Sequence, residues 1–536
     1  MWGTLMSATF PSRLSSAVDS VFERFWRTRP SPALAYGVVT TDGLVHSRGL
    51  GELRPGGGPP TSTSLFRVAS LTKSFTAAAA LTLRDAGRLE LDAPVHAYVP
   101  FLRGSWDPDG PWEPPTVRQL LTMGSGLPDD DPWADRLLGM TRDRFDRLLA
   151  DGLRPAYRPG TTYAYSNLGY AILGRIVAQV SAETYGAFVT QGLLAPLRLA
   201  RTGFTPAVAS EAERAVGYEY EPATRGLTRR RSTGWQPAVR LRSRAFSPAG
   251  GLWSCVDDLA TWVKGFVDSH GKREPGQSEH PLGESSRREL QRVARLVPRA
   301  APHVVGREGT SVFWCPSCAS DTGSALSATA RSGLEDEAES VGYGMGLMTK
   351  TIPTMGTVVG HRGGLPGYGA AMWWHPASQL GVVALCNSTY APMDQAAEQA
   401  LLGAVRVLPS GKSSLWGECA QALHAIVRLL TVWDESVAGS VFADNFDRTT
   451  LGRVRSCFAS VRACLGDPLC EGIRMTDVAS PAHAKWRIPM DRGWVEVTVQ
   501  MSPERRPMVQ SLRLEPSESC GSQVLRTQGR HVRVRS

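Results

Sequence analysis

Ser70 and Lys73 are residue types that together can carry out nucleophilic catalysis. They follow the mostly apolar segment 65–69 at the predicted start of a helix. Residues three apart on a helix share a face, with Cβ atoms roughly 5–6 Å apart, so the lysine amine can reach the serine hydroxyl and act as its base. The segment from Phe75 to Leu83 has the apolar pattern of a buried helix. Burial would lower the pKa of Lys73 and supply a neutral amine that accepts a proton.

A serine three residues before a lysine is weak support by itself. The chain contains a second match, Ser269 with Lys272, in a polar stretch rich in Gly, His and Pro. We interpret that second match as chance. A catalytic role for Ser70 therefore needs support from other segments.

Tyr165 and Asn167 lie on a turn that follows Pro159-Gly160 and precedes an apolar helix predicted over Leu168 to Val180. Their polar ends could face a cleft. Taken alone, however, the pattern favours a structural turn with Tyr165 packed in the core.

His361 leads into a strand-like run and is followed by Arg362, Gly363 and Gly364. Glycines on a strand allow a ligand to approach the backbone closely. A single histidine in such a place is more often a packed or surface residue. The His361 segment becomes informative only in combination with the Ser70 segment and the Tyr165 turn.

The three segments, in this order along the chain, resemble the serine β-lactamase-like family. The resemblance is to the branch of class C β-lactamases, D-alanyl-D-alanine carboxypeptidases, D-aminopeptidases and esterases, over about Ser15 to Val407. It implies an α/β fold in which helices flank an antiparallel sheet, with an all-helical subdomain. Flanking stretches that resemble the family are Leu120-Leu121-Thr122, Ser125-Gly126-Leu127-Pro128 and Pro248-Ala249-Gly250-Gly251-Leu252.

The resemblance implies that Ser70 attacks a carbonyl and forms an acyl-enzyme, while Lys73 and Tyr165 share the proton transfer. A tyrosine can be a base only if its pKa, near 10, is depressed, and the nearby Lys73 cation would do that. Which of the two side chains takes the proton stays open.

The same resemblance implies roles for the remaining candidates. Asn167 would hydrogen-bond Lys73 and a substrate amide, and the backbone N–H groups of Ser70 and Gly364 would form an oxyanion hole. Gly363 and Gly364 would line the substrate site, while Arg362 could bind a substrate carboxylate or point to solvent. No metal or cofactor is implied.

His361 bears on the substrate. Penicillin-resisting members of the family carry a lysine there, whereas peptidase-like and esterase-like members often carry histidine. The resemblance therefore favours peptidase or esterase activity over β-lactam turnover.

The length of 536 residues predicts at least two domains. We expect a hydrolase domain over 1–408, with a variable insertion at 269–340, and a linker with a helix over 409–436. A small α+β domain is expected over 437–515, because a helical pattern there gives way to alternating strands. Residues 516–536 are expected to be a disordered tail.

The net charge of +9 comes almost entirely from scattered arginines. The densest run, Arg229-Arg230-Arg231, lies in a predicted loop, so we predict no nucleic-acid partner. Nine cysteines without framework spacing predict reduced thiols, and the lone pair Cys315 and Cys318 is a weak zinc motif. The N-terminus lacks a signal-peptide pattern and no stretch reaches ~20 apolar residues, so a cytoplasmic protein without membrane contact is expected.

The sequence is consistent with two functions. The first is a serine hydrolase acting on a small-molecule or peptide substrate, with amides and esters equally open. The second is a binding or structural protein that keeps the fold without turnover, for which Lys73→Ala would leave the biological effect intact. The C-terminal domain carries no catalytic constellation that we can identify, and we expect it to pack against the hydrolase domain or to mediate self-association into a homo-oligomer.

Overall fold

The structure is a computed structural model of the chain. It describes residues 12–28, 31–221, 234–270, 280–298, 340–352, 355–408, 415–469, 471–517, 525–528 and 531–533. The chain divides into two compact units, Met1–Leu408 and Pro409–Ser536. Arg229-Arg230-Arg231, Cys315, Cys318 and Lys272 lie outside the described residues, as does most of the predicted insertion at 269–340.

The first unit contains helices and strands in mixed order along the chain. In sequence they are α1 (Ser12–Thr28), β1 (Ala33–Thr40), β2 (Gly43–Gly51), β3 (Phe66–Arg67), α2 (Thr72–Asp85), α3 (Leu102–Ser105), α4 (Val117–Leu121), α5 (Asp131–Ala134), α6 (Arg142–Asp151), α7 (Asn167–Ser181), α8 (Tyr185–Val189), β4 (Tyr218–Glu221), β5 (Gly234–Pro237), α9 (Ser247–Gly250), β6 (Trp253–Ser254), α10 (Val256–Asp268), α11 (Glu284–Leu290), β7 (Arg295–Leu296), β8 (Ser340–Tyr343), β9 (Met348–Ile352), β10 (Gly356–Leu365), β11 (Tyr368–His375), β12 (Leu380–Cys386) and α12 (Met393–Val407).

Eight of the described strands form one antiparallel sheet, in the order β2-β1-β12-β11-β10-β9-β8-β7. Its central strands β11 and β12 are buried along their whole length. They are apolar at nearly every position because both faces of the sheet are covered. The antiparallel sheet flanked by helices confirms the predicted fold class.

Side chains of β11 alternate between two cores, as the period of a strand requires. Ala371 and Trp373 pack with α1 and α12 on one face. Met372 and Trp374 pack on the other face, in the core that also includes residues of α2, α7 and α10. Helices α2 to α8 lie in the segment between β3 and β4.

The part of the predicted insertion that the structure describes is built into the first unit. Within it, α11 ends at Leu290, and Arg295–Leu296 pairs with β8 at the edge of the main sheet. The indole N–H of Trp374 donates to Gln291 Oε1 at 2.9 Å, and Leu290 is fully buried. Residues 284–296 are therefore a packed part of this unit.

The second unit contains α13 (Gly417–Thr431), α14 (Glu435–Val441), α15 (Arg448–Leu465), β13 (Arg474–Ser480), β14 (His483–Met490), β15 (Gly493–Met501), β16 (Val509–Pro516), β17 (Leu525–Gln528) and β18 (His531–Arg533). Its described strands form a meander in chain order. One face of the meander shares a core with the helices, and that core includes Ile426 and Leu429 of α13. The helix predicted with the linker over 409–436 is therefore part of this unit.

Two sequence-based expectations for the second unit are wrong. Residues 525–528 and 531–533 are strands, although 516–536 was expected to be disordered. The edge of β16 presents backbone N–H and C=O groups, and pairing with β17 satisfies them. Cys464 is disulfide-bonded, so the expectation of reduced thiols fails there.

Candidate active site

Ser70 lies on a short helical turn, Ala69–Leu71, that leads directly into α2. Every residue from Ser64 to Leu81 is buried except Ser70, whose side chain reaches the surface of the pocket. Ala69, immediately before it, has a left-handed backbone with φ of 48°. A non-glycine residue in that region costs about 1–3 kcal/mol and is typically held by its surroundings at functional sites. The turn therefore presents one hydroxyl from an otherwise buried segment.

The Lys73 amine is fully buried and contacts three acceptors: Ser70 Oγ at 3.0 Å, Asn167 Oδ1 at 2.5 Å and the Ala249 carbonyl at 2.8 Å. The two carbonyl oxygens can only accept hydrogen bonds. A neutral amine has two N–H groups and one lone pair, so these oxygens take both N–H groups. The lone pair is then directed at the Ser70 hydroxyl.

Burial is the main influence on the pKa of Lys73 and lowers it to about 8, against the attraction of Asp131, Asp135 and Asp130, which raise it. A substantial fraction of the amine is therefore neutral near pH 8. This is the protonation state that the lone-pair geometry requires.

Tyr165 also contacts the amine, with its ring centroid 4.8 Å from Lys73 Nζ. The Tyr165 hydroxyl hydrogen-bonds the Ser70 side chain. Its pKa is raised well above the ordinary value, first by burial and then by the negative charge of Asp131. The expectation of a depressed pKa is therefore wrong, because desolvation outweighs the opposing charge of Arg362. A tyrosine in this state keeps its proton at neutral pH and is suited to donate it.

Asn167 is the first residue of α7, and its backbone is held by Asp130. The Asp130 carboxylate accepts from the Asn167 N–H at 2.7 Å and the Leu168 N–H at 2.9 Å, while Ser166 Oγ accepts from the Gly169 N–H at 3.0 Å. Negative charge and side-chain oxygens at a helix N-terminus satisfy its free N–H groups. Asn167 is thereby fixed beside Lys73.

His361, on β10, is buried and contacts Tyr343 rather than solvent. Its Nδ1 lies 2.6 Å from the Arg362 carbonyl, which can only accept, so Nδ1 carries the proton and Nε2 accepts from the Tyr343 hydroxyl at 3.3 Å. Burial, followed by the charge of Lys73, lowers the pKa of His361 to about 3. The imidazole is therefore neutral at ordinary pH.

Arg362 has a partly exposed side chain with its guanidinium 3.5 Å from the Asp394 carboxylate. Its positive charge lowers the pKa of both Tyr163 and Tyr165, which places it close to those rings. The Arg362 side chain is therefore partly exposed and paired with Asp394.

Gly363 and Gly364 lie on the part of β10 that passes the nucleophile turn. In the described chain, β9 pairs with residues 356–360 of β10, whereas β11 pairs with β10 as far as Leu365. In the described chain, residues 361–365 of β10 therefore have a strand partner on the β11 side and an edge on the other side. A Cβ atom on Gly363 would lie 2.4 Å from the Val68 carbonyl oxygen. The strand edge therefore runs directly against the backbone that carries Ser70.

Gly363→Ala is expected to displace the Ser70 turn, because the clash is with backbone and not with a flexible side chain. We expect kcat/KM to fall by about 10²-fold, the effect of roughly 1 Å of misplacement, and Tm to fall by a few degrees, since overpacking costs about 1–3 kcal/mol. Gly403→Ala in α12 is the matched control, since its added methyl meets nothing within 4 Å. Equal kcat/KM and Tm for the two variants would contradict the assignment.

A narrow pocket extends from the Ser70 hydroxyl. Its lining includes one acidic group, Asp135, and consists of Ser70, Ala134, Asp135, Leu138, Asn167, Phe246, Ala249, Gly250 and Leu365. Burial raises the pKa of Asp135 to about 7, and Tyr390 donates a hydrogen bond to it at 2.9 Å. Among the described residues, no group of three or more His, Cys, Asp or Glu could hold a metal ion.

The structure adds residues that the sequence did not single out. Asp130, Asp131 and Asp135 surround the base, Tyr343 binds His361, and Ala249 supplies a carbonyl to Lys73. In the sequence, Asp130 and Asp131 follow Asp129, and a run of three aspartates resembles an ordinary polar loop. The one available signal was Pro248-Ala249-Gly250, already noted as a flanking stretch, although nothing in it predicts a carbonyl aimed at Lys73.

A family model described as Beta-lactamase matches residues 18–405. The D-aminopeptidase of Gluconobacter oxydans (strain 621H) is 29% identical over 274 residues, which is 49% of this chain and 46% of that protein. The chain matches other curated relatives over only about 38% of their length.

Solved structures support the fold over a larger part of the chain. The octameric penicillin-binding protein homologue from Pyrococcus abyssi is similar with a TM-score of 0.56 and 19% identity, covering 95% of both chains. A class C β-lactamase from Rhodobacter sphaeroides is similar with a TM-score of 0.52 and 20% identity, covering 73% of this chain and 99% of that one. At these identities the likeness concerns the fold.

Proposed function

The chain belongs to the β-lactamase family, and on that premise we propose that it is a serine hydrolase that cleaves an amide or an ester through an acyl-enzyme on Ser70. The observation that carries the proposal is the buried Lys73 amine. Two obligate acceptors hold its N–H groups and direct its lone pair at the Ser70 hydroxyl. A binding protein without turnover has no need for a buried lysine whose pKa is lowered to about 8.

In the first step the Ser70 oxygen attacks the substrate carbonyl while its proton passes to neutral Lys73. General-base catalysis of this kind typically contributes about 10²- to 10⁴-fold in rate. Because its raised pKa keeps Tyr165 protonated while the lowered pKa of Lys73 leaves part of the amine neutral, Lys73 is the group available to accept this proton.

The negative charge that develops on the carbonyl oxygen would be stabilised by the backbone N–H groups of Ser70 and Gly364. Removing one such donor typically costs about 3 kcal/mol of transition-state stabilisation. Tyr165, protonated and hydrogen-bonded to Ser70, would protonate the leaving group, and Lys73 would return a proton to Tyr165. Water then hydrolyses the acyl-enzyme through the same groups in reverse.

Peptidase-like or esterase-like substrates are favoured over β-lactams. The buried His361 is neutral and bound to Tyr343, so it supplies no cation for a substrate carboxylate. Arg362, which is partly exposed and whose charge acts on Tyr165, is the cation that could do so. The D-aminopeptidase among the relatives supports an amide substrate.

The proposal is tested by treating the full chain with a serine-reactive fluorophosphonate and locating the adduct by peptide mass spectrometry. We expect one adduct, on Ser70, and turnover of p-nitrophenyl esters or D-amino-acid amides that exceeds turnover of nitrocefin. A chain that takes up no reagent and hydrolyses none of these substrates would overturn the proposal.

Self-association is a further part of the proposal, supported by the octameric assembly of the similar penicillin-binding protein homologue from Pyrococcus abyssi. Light scattering coupled to size-exclusion chromatography would measure it. No described helix has the length and apolarity to cross a membrane. A disulfide is rare in the reducing cytosol, so the bonded Cys464 counts against a cytoplasmic location.

A further inference from the structure

Asp131 contacts the side chain of Asn167, which in turn holds the Lys73 base. Its Oδ1 accepts a hydrogen bond from Asn167 Nδ2 at 2.6 Å, while Asn167 Oδ1 accepts from Lys73 Nζ at 2.5 Å. The Asn167 amide is thus bound at both ends, with a carboxylate at one and the amine at the other.

The carboxylate decides which end of the amide faces the lysine. An ionised carboxylate is acceptor-only, so it must meet the NH₂ end of the amide. Without it, the amide could rotate by half a turn and present Nδ2 to Lys73. Two donors would then face each other, and the amine would lose the acceptor that directs its lone pair at Ser70.

We propose that Asp131 is a positioning residue of this hydrolase: it fixes the Asn167 amide so that Oδ1 faces Lys73 and the lone pair of the amine faces Ser70. The inference rests on the proposed function, because it assigns a role in preparing the Lys73 base. Asp131 acts through Asn167 and does not itself contact Ser70.

The neighbouring aspartate has a different task. Asp130 accepts from the backbone N–H groups of Asn167 and Leu168 and from the Ser166 hydroxyl, and therefore holds the start of α7. Asp131, the first residue of α5, directs its carboxylate at the side chain of Asn167 instead. Consecutive residues thus fix the main chain and the side chain of the same asparagine.

Several ionisable groups face Lys73 and must be considered in any pH dependence. Asp131 on α5, Asp135 after it and Asp130 immediately before it attract the ammonium form. Neutral His361 on β10 and the rings of Tyr165 and Tyr170 also lie near the amine. Removing Asp131 therefore removes one source of stabilisation of the charged amine, and we expect the acid limb of the rate profile to move to lower pH.

Two substitutions separate orientation from charge. Asp131→Ala removes both the acceptor and the charge, whereas Asp131→Asn removes the charge but leaves an amide oxygen that can accept from Nδ2. The readout is the second-order rate constant for phosphonylation of Ser70 by a fluorophosphonate, measured against pH on the full chain, with Tm recorded for each variant.

We expect Asp131→Ala to lower the high-pH plateau at least ~10-fold, as loss of a partner that orients a site residue commonly does, and to shift the acid limb downwards. Asp131→Asn should shift the acid limb by the same amount but lower the plateau less than Asp131→Ala does. Asp131→Glu should have a higher plateau than Asp131→Ala. Asp143→Ala is the matched control, because Asp143 is an exposed aspartate in the first turn of α6 and its loss should change neither the plateau nor the limb.

A double-mutant cycle with Asn167→Ala tests whether the effect passes through Asn167. In that background Asp131→Ala should cause no further loss of plateau. An unchanged plateau in Asp131→Ala, or an undiminished loss in the Asn167→Ala background, would overturn the inference while leaving the hydrolase intact. Absence of Ser70 labelling in the wild type would overturn both.

Discussion

Ser70→Ala is expected to lower kcat/KM for any ester or amide substrate by about 10⁴-fold or more and to abolish the phosphonate adduct. Removing the nucleophile of a serine hydrolase can cost about 10⁶-fold in kcat, the remainder being due to binding and the oxyanion hole. Tm should stay close to that of the wild type, because the Ser70 hydroxyl is at the surface of the pocket and bonds other site residues. Steady-state turnover measures the loss of kcat/KM, and intact-mass spectrometry of the same samples measures the loss of the adduct.

Ser74→Ala is the matched control for this variant. Ser74 lies one turn further along α2, where its hydroxyl donates to the Leu71 carbonyl at 2.8 Å and accepts from the Trp262 indole at 3.0 Å. Its loss should reduce stability by about 1–3 kcal/mol, the cost of an unsatisfied buried group, and leave labelling intact. Persistent labelling of Ser70→Ala would place the nucleophile elsewhere.

Lys73→Arg is expected to lower kcat/KM by about 10³-fold, because arginine keeps its proton at every accessible pH and cannot act as the base. This corresponds to about 4 kcal/mol of transition-state stabilisation. The rate of Ser70 phosphonylation should fall in parallel and lose its dependence on a group with a pKa of about 8. Circular dichroism and Tm would establish that the variant is folded.

Lys350→Arg controls for the exchange itself. Lys350 on β9 pairs with Glu398 at 2.5 Å, an interaction that arginine can replace. Its activity should match the wild type. A Lys73→Arg enzyme that retains more than a tenth of wild-type activity would exclude the neutral amine as the base.

The part of the site that depends on local geometry could be predicted from the sequence. Ser70 and Lys73 are three residues apart at the start of α2, and the amine lies 3.0 Å from the hydroxyl. The apolar segment after Lys73 predicted burial, and burial is what lowers its pKa. In the same way, the strand-like run predicted at His361 is a strand, β10.

What depends on long-range packing could not be predicted. The sequence indicated a depressed pKa for Tyr165, but only the fold reveals that the ring is buried and that desolvation raises this pKa. Asp130 and Asp131 are adjacent, yet one binds backbone and the other a side chain of the same asparagine. That distinction arises from the approach of α5 to α7, for which a single sequence carries no signal.

The proposed mechanism requires that neutral Lys73, and not Tyr165, accepts the proton of Ser70. The decisive measurement is the pH dependence of Ser70 phosphonylation in the wild type and in Tyr165→Phe. We predict that the rate rises with pH through an apparent pKa of about 8 in both enzymes. Loss of that rise in Tyr165→Phe, with labelling of Ser70 still detectable, would contradict the mechanism and make the phenol the base.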